Sequence, residues 1–204
     1  MTSTPYVYER QSEYWTSKQI DNYLLDLQFE VITLPIPTHI EYLIPADFIY
    51  FDKRSPKLFG LQYKALYHNE RDHWRLDIRQ HQTLALYPWI YYCLLEVRAY
   101  KEYRAALHLA RFASNDFSYV GEVYPENPGR FASYTRWATF FRQLAQCKKG
   151  MLVTSEDHLK QLLTAGLDDP LLRRLSQSAA DLFLVDFSSS HVVHYTSFFS
   201  GVQQ

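Results

Sequence analysis

The chain has 6 glycines in 204 residues. With so few, it has little from which to build a backbone cradle for a nucleotide. No GxGxxG, no Walker-type phosphate loop and no GxSxG elbow occurs. Cysteine is equally sparse. Cys93 and Cys147 are the only two, and neither belongs to a CxxC pair. That excludes a disulfide framework and suits reduced thiols in a cytoplasmic protein. No sign of charge dominates: 21 basic residues face 22 acidic ones, for a formal net charge of −1. A nucleic-acid partner would therefore have to be met by a local basic patch or through metal ions. Long apolar runs are missing as well. "WIYYCLL" at 89–95 is the longest, far short of the roughly 20 residues a membrane helix needs. The opening "MTSTPYVYER" has no basic stretch followed by an apolar one, so no signal peptide is expected. The expectation is a soluble cytoplasmic protein with no membrane partner.

What is abundant is apolar and aromatic. Hydrophobic residues make up 47% of the chain and aromatics 17%, which a disordered chain would not carry. Tyrosine leads with 17, against 13 Phe and 4 Trp. Its apolar ring and polar tip suit wet surfaces as well as core edges, which leans towards a binding face.

Along the chain the hydrophobic period changes repeatedly. Residues 9–28 predict an amphipathic helix, with Ile20, Leu24 and Leu27 on one stripe beside Tyr23. "FEVITLPI" at 29–36 reads as a strand ended by Pro35 and Pro37. Two further strands are expected at 45–51 and 58–66, joined by the charged turn "DKRSPK". "HNERDHWR" at 68–75 reads as a polar loop, "LDIRQHQTLALY" as a helix stopping before Pro88, and 89–97 as a strand covered on both faces. "RAALHLARFAS" fits a strand or a helix about equally well. After the Pro- and Gly-rich "GEVYPENPGR" the chain reads mainly helical, with Ser133 as a cap and Gly150 as a stop for one helix. Two more helices are expected over 154–166 and 168–183, with a closing strand at 191–199. The whole reads as α/β: an α/β core over 1–115 and a mainly helical extension over 116–204.

Polar residues inside the two central strands carry the chemistry. Strand side chains alternate, so Gln62 and Lys64 share one face while Leu61, Tyr63 and Ala65 take the other. Asp47 shares a face with Ile49 and Phe51 on the preceding strand. If the two strands pair, the acid, the amide and the ammonium meet at one end of the hairpin. Such a group could hold Mg²⁺, which prefers oxygen ligands, and could steady charge building on a phosphate.

This pattern, Asp47 and then Gln62-Tyr63-Lys64 on the next strand, resembles the PD-(D/E)xK nuclease-like superfamily. Pro45 stands two residues before the acid, where that family's proline is normally adjacent to it. The expected order αβββαβ over roughly residues 9–97 is similar to that superfamily's restriction-endonuclease-like core. The resemblance implies a nuclease using Mg²⁺ or Mn²⁺ on DNA ahead of RNA, and a homodimer is an assembly many such enzymes adopt. It further implies Asp47 as a metal ligand, with Gln62 in the place of the second acid and the Tyr63 carbonyl beside it. Lys64 would be the catalytic lysine, and Glu13 the acid on the first helix. Glu41, in a loop, is a weaker acid candidate. Gln62 removes one negative charge from the pattern and weakens metal binding unless Glu13 or Glu41 compensates. The alternative is therefore a nuclease-fold module without catalysis that binds nucleic acid or protein. A tyrosine-rich interaction domain of other ancestry is a third reading. Arg75, Arg79, Gln80 and Gln82 could contact the nucleic-acid backbone, since guanidinium forks match phosphate geometry. His191 and His194, three apart on an expected strand, face opposite ways and make no shared metal site. Cys93 reads as a core thiol.

Overall fold

The computed structural model describes residues 4–36, 41, 44–52, 56–118, 121–126, 134–155, 158 and 161–162. The chain divides into two compact units, Met1–Thr154 and Ser155–Gln204. In the second unit, the His158 backbone N–H donates to Ser155 Oγ at 3.1 Å. The helix expected at 168–183 and the strand at 191–199, with His191 and His194, lie outside the described residues, as does most of 154–166. Among the described residues, no helix is long and apolar enough to cross a membrane.

The first unit is mixed α/β, built on two sheets. A short strand β1 (Thr4–Pro5) leads into α1 (Glu9–Asp26), followed by β2 (Val31–Pro35), β3 (Phe48–Asp52) and β4 (Lys57–Lys64). Next come a small hairpin of β5 (Leu66–His68) and β6 (Asp72–Arg75), helix α2 (Ile78–Leu84) and strand β7 (Ile90–Leu95). A 3₁₀ turn (Tyr100–Ala105) runs into α3 (Ala106–Leu109) and β8 (Ala110–Ala113). The unit ends with β9 (Glu122–Val123), β10 (Tyr134–Thr135), α4 (Trp137–Ala145) and β11 (Met151–Leu152).

The larger sheet runs β10-β8-β7-β4-β3-β2, with β11 also paired to β4. β2, β3 and β4 are successively antiparallel, whereas β4 and β7 are parallel. A parallel pair needs a long crossover, and the hairpin and α2 supply it. β4 and β7 are central, and every β7 side chain is buried, as its unbroken apolar run requires. One face is covered by α1, through Ile20 and Leu24, and by α4, through Trp137, Phe140 and Leu144. Phe140 stacks on Phe112 at 4.7 Å and meets Tyr91 edge-on at 5.0 Å. Truncating it to Ala would cost about 3–5 kcal/mol. At Gly60 an added Cβ would meet Ile90 Cγ1 at 3.0 Å and Trp89 at 3.1 Å, so the close approach of β4 to the start of β7 requires a glycine there.

Several expectations change here. "HNERDHWR" is no loop. It forms the β5–β6 hairpin, the middle of a second sheet ordered β1-β5-β6-β9. "RAALHLARFAS" is divided, helical to Leu109 and extended from Ala110. The helix capped in expectation by Ser133 starts at Trp137, because Tyr134–Thr135 pair with β8 instead. It stops at Ala145, and Cys147 takes φ 55° well before Gly150. Leu27 leaves the apolar stripe and is 48% exposed, since α1 ends at Asp26 and Gln28 turns the chain at φ 60°. The tyrosines divide: Tyr50, Tyr63, Tyr87, Tyr91 and Tyr92 are buried in the core, whereas Tyr8, Tyr14, Tyr100 and Tyr103 are exposed. The first unit also continues past 115 to Thr154, with β9, β10 and β11 adding to both sheets.

Candidate functional site

Asp47 stands just before β3 and is held from both sides. Its backbone N–H donates to Leu61 O at 2.9 Å, and its carbonyl accepts from the Ile36 N–H at 2.7 Å. Its side chain is thereby aimed at β4. Oδ2 accepts the Tyr63 backbone N–H at 2.6 Å and Gln62 Nε2 at 2.7 Å. The same amide nitrogen lies 3.4 Å from the Tyr63 carbonyl oxygen. Asp47 is 8% exposed and Gln62 1%. The other half of the amide, Gln62 Oε1, is buried and has no hydrogen-bond partner among the described residues. A buried acceptor left this way calls for a donor or a cation.

α1 brings its own acids to the same place. Glu9 and Glu13, four residues apart, share the helix face turned to the sheet. Glu9 Oε2 accepts the Ala65 backbone N–H at 3.0 Å, latching the start of α1 to the end of β4. A cavity of about 500 Å³ opens there, lined by Glu9, Arg10, Glu13, Pro35, Ile36, Glu41, Asp47 and Phe48.

Four carboxyls in one recess disturb one another. Glu13 is raised from 4.5 to about 7, by burial first and then by Glu9 and Glu41, against the pull of Arg10 and Lys64. Asp47 is raised well above the ordinary aspartate value, by burial first and by Glu13 next, against the pull of the Tyr63 N–H and Lys64. Buried like charges favour the protonated form, so the cluster is short of positive charge.

The structure therefore brings Asp47, Gln62, the Tyr63 carbonyl and Glu13 to one end of β4, with Lys64 close enough to act on both carboxyls. Glu41 joins them at the cavity wall. The other predicted contacts lie elsewhere. Arg75 is exposed on β6, its guanidinium 4.9 Å from the Tyr67 ring centre. Arg79 and Gln82 are exposed on α2, and the Gln80 backbone N–H donates to Oδ1 of Asp77, which caps that helix. None of these four lines the cavity. Cys93 is fully buried, and burial pushes its thiol up. Sequence reasoning missed Glu9 and Arg10. The signal for Glu9 was its spacing of four from Glu13.

The donors suit a hard divalent cation. Carboxylates of Asp47 and Glu13, the orphaned Gln62 Oε1 and the Tyr63 carbonyl are all oxygens, the ligands Mg²⁺ and Mn²⁺ take. A cation there would relieve the repulsion that raises both carboxyls. Among the described residues, no three or more His, Cys, Asp or Glu side chains form a group that could by itself hold a metal ion. An ion would therefore depend on the amide and the backbone carbonyl. No protein-family model, curated protein or solved structure matches this chain.

Proposed function

We propose that the chain is a divalent-metal-dependent nuclease of the PD-(D/E)xK, restriction-endonuclease-like type that hydrolyses DNA phosphodiester bonds. The observation that carries the reading is the bond of Asp47 to Gln62 at 2.7 Å, beside Lys64, at a cavity shared with Glu13. The order α1-β2-β3-β4, followed after the β5–β6 hairpin by α2 and a β7 parallel to β4, supports it. Asp47, Glu13, Gln62 and the Tyr63 carbonyl would hold Mg²⁺ or Mn²⁺. Such an ion supplies Lewis-acid polarisation of a phosphoryl oxygen.

The chain's own groups do the rest. The Tyr63 N–H fixes the Asp47 carboxylate, and Glu9 fixes the strand end that carries Lys64. The Lys64 ammonium offsets charge building on the phosphate and orients the attacking water. The test is cleavage of plasmid and oligonucleotide DNA with Mg²⁺ or Mn²⁺, repeated with Lys64→Ala. Loss of cleavage on substitution is expected. Undiminished cleavage would remove Lys64 from the mechanism.

One observation favours a second reading, a nuclease-fold module that binds without cutting. Gln62 turns its amide nitrogen, not its oxygen, to Asp47. An amide donor satisfies a carboxylate with no ion present. Calorimetric titration with Mn²⁺ separates the two: heat of binding at millimolar metal supports the nuclease, and a flat titration of folded protein supports the module.

A further inference from the structure

We infer that Gln62 gates this site by standing in for its cation. Without an ion the amide nitrogen closes on Asp47, and a metal is admitted only when the amide turns its oxygen to that carboxylate. The gate rests on the nuclease reading for the identity of the ion it admits. Its first support is a mismatch between position and chemistry. Gln62 Nε2 lies 2.7 Å from Asp47 Oδ2 and 3.4 Å from the Tyr63 carbonyl oxygen. Oxygens that share an octahedral Mg²⁺ shell, each at roughly 2.0–2.1 Å from the ion, stand about 2.9 Å apart. The nitrogen thus sits close to where a third ligand oxygen belongs. An amide nitrogen with its hydrogens turned to an acceptor binds no cation.

The second support is the other tip of the same amide. Gln62 Oε1 is buried and has no hydrogen-bond partner among the described residues. Turning the amide over in the ion-free site would point that oxygen at a carboxylate and a carbonyl, three acceptors together. The fold leaves Oε1 unmatched instead. A cation reverses the preference, because it holds the oxygens that repel one another without it. Rotation about the last side-chain bond exchanges the two tips and leaves the backbone in place. The surroundings are built for that. β4 lies between β3 and β7, and Asp47 is fixed by its own N–H on Leu61 O and by the Tyr63 N–H on Oδ2. One amide is the moving part in a rigid frame. A glutamate at position 62 would carry oxygen at both tips and need no turn. It would also add a charge to a recess already lined by Glu9, Glu13, Glu41 and Asp47. The amide quiets the empty site and stands in the ion's way.

The experiment follows the Gln62 side-chain amide of the full chain by NMR, assigned through its own backbone, as Mg²⁺ is added. Without metal, one amide proton should stand downfield of its partner, held by the Asp47 carboxylate. Saturating Mg²⁺ should return it to the range of an unbonded glutamine amide. Calorimetry supplies the second reading. Gln62→Glu, which needs no turn, should bind Mn²⁺ at least about tenfold tighter than the parent. The parent spectra decide alone if that variant does not fold. Mg²⁺ that shifts the Tyr63 and Ala65 backbone amides but leaves the downfield proton in place would overturn the gate and spare the nuclease reading. So would a folded Gln62→Glu that binds Mn²⁺ no tighter than the parent. An amide that turns in a protein that cuts no DNA would support the gate and remove the nuclease reading. Metal binding by neither protein would remove both.

Discussion

Asp47 and Asp72 are both aspartates at the start of a strand, yet the fold treats them in opposite ways. Asp72 opens β6 and accepts three hydrogen bonds, from Tyr6 OH, His68 Nδ1 and Arg98 Nε, each at 2.9 Å. Burial alone would raise its pKa, but those bonds overturn the effect and lower it. Asp47 receives an amide and a backbone N–H, lies near Glu13, Glu41 and Lys64, and is raised. The satisfied acid ties the hairpin to the chain's start and to Arg98. The crowded acid, Asp47, faces a cavity. Crowding of buried acids at a cavity is what perturbed functional carboxyls share, and it supports the role proposed for Asp47.

Substitution should separate the two most sharply in catalysis. Asp47→Asn is expected to reduce Mg²⁺-dependent cleavage by at least about 100-fold, and Asp72→Asn should leave it within a fewfold; equal losses would erase the distinction. Added Mn²⁺ comes next. At about a hundred times its dissociation constant it should stabilise the parent by roughly 2.7 kcal/mol, read as a rise in melting temperature that Asp47→Asn removes and Asp72→Asn retains.

The pH dependence should also run in opposite directions. Glu13, raised from 4.5 to about 7, keeps a proton in the native state that the unfolded chain has lost. Its contribution is complete below 4.5 and declines as pH rises through about 7, by about 3 kcal/mol at most. Denaturant melts of Glu13→Gln should lack that decline, and a parent curve flat across this window would contradict the electrostatics. Asp72 is lowered, so its contribution is present above 3.8 and fades as pH falls through its native value. The smallest effect is on stability alone. Asp72→Ala should cost about 1 kcal/mol through lost hydrogen bonds near the surface, whereas Asp47→Asn at pH 8 should be neutral or stabilising.

The contrast also explains what the sequence disclosed. Asp47, Gln62 and Lys64 were legible because period-two alternation makes a polar residue in an apolar strand conspicuous. α1 was legible from Ile20 and Leu24, and β7 from its unbroken apolar run. Asp72 was not, since it sits in "HNERDHWR", where both strands of the hairpin are short and His68, Asp72 and Arg75 meet solvent or near it. Such a segment has no apolar face to give it a period. Its partners, Tyr6 and Arg98, lie far away in the chain, and no local pattern announces a contact of that range. Glu9 escaped for a related reason: its role depends on Ala65, a residue with no chemistry of its own beyond a backbone N–H.

The pairing of β11 with β4 carries a consequence for how the molecule is made. Lys57 and Leu58, at the head of the central strand, wait for Leu152 and Met151 to lie beside them. Those partners leave the ribosome only after nearly all of the first unit has been synthesised. The strand bearing Gln62 and Lys64 is then fully flanked only at a late moment, so a truncated or half-translated chain leaves the head of the central strand without its last neighbour.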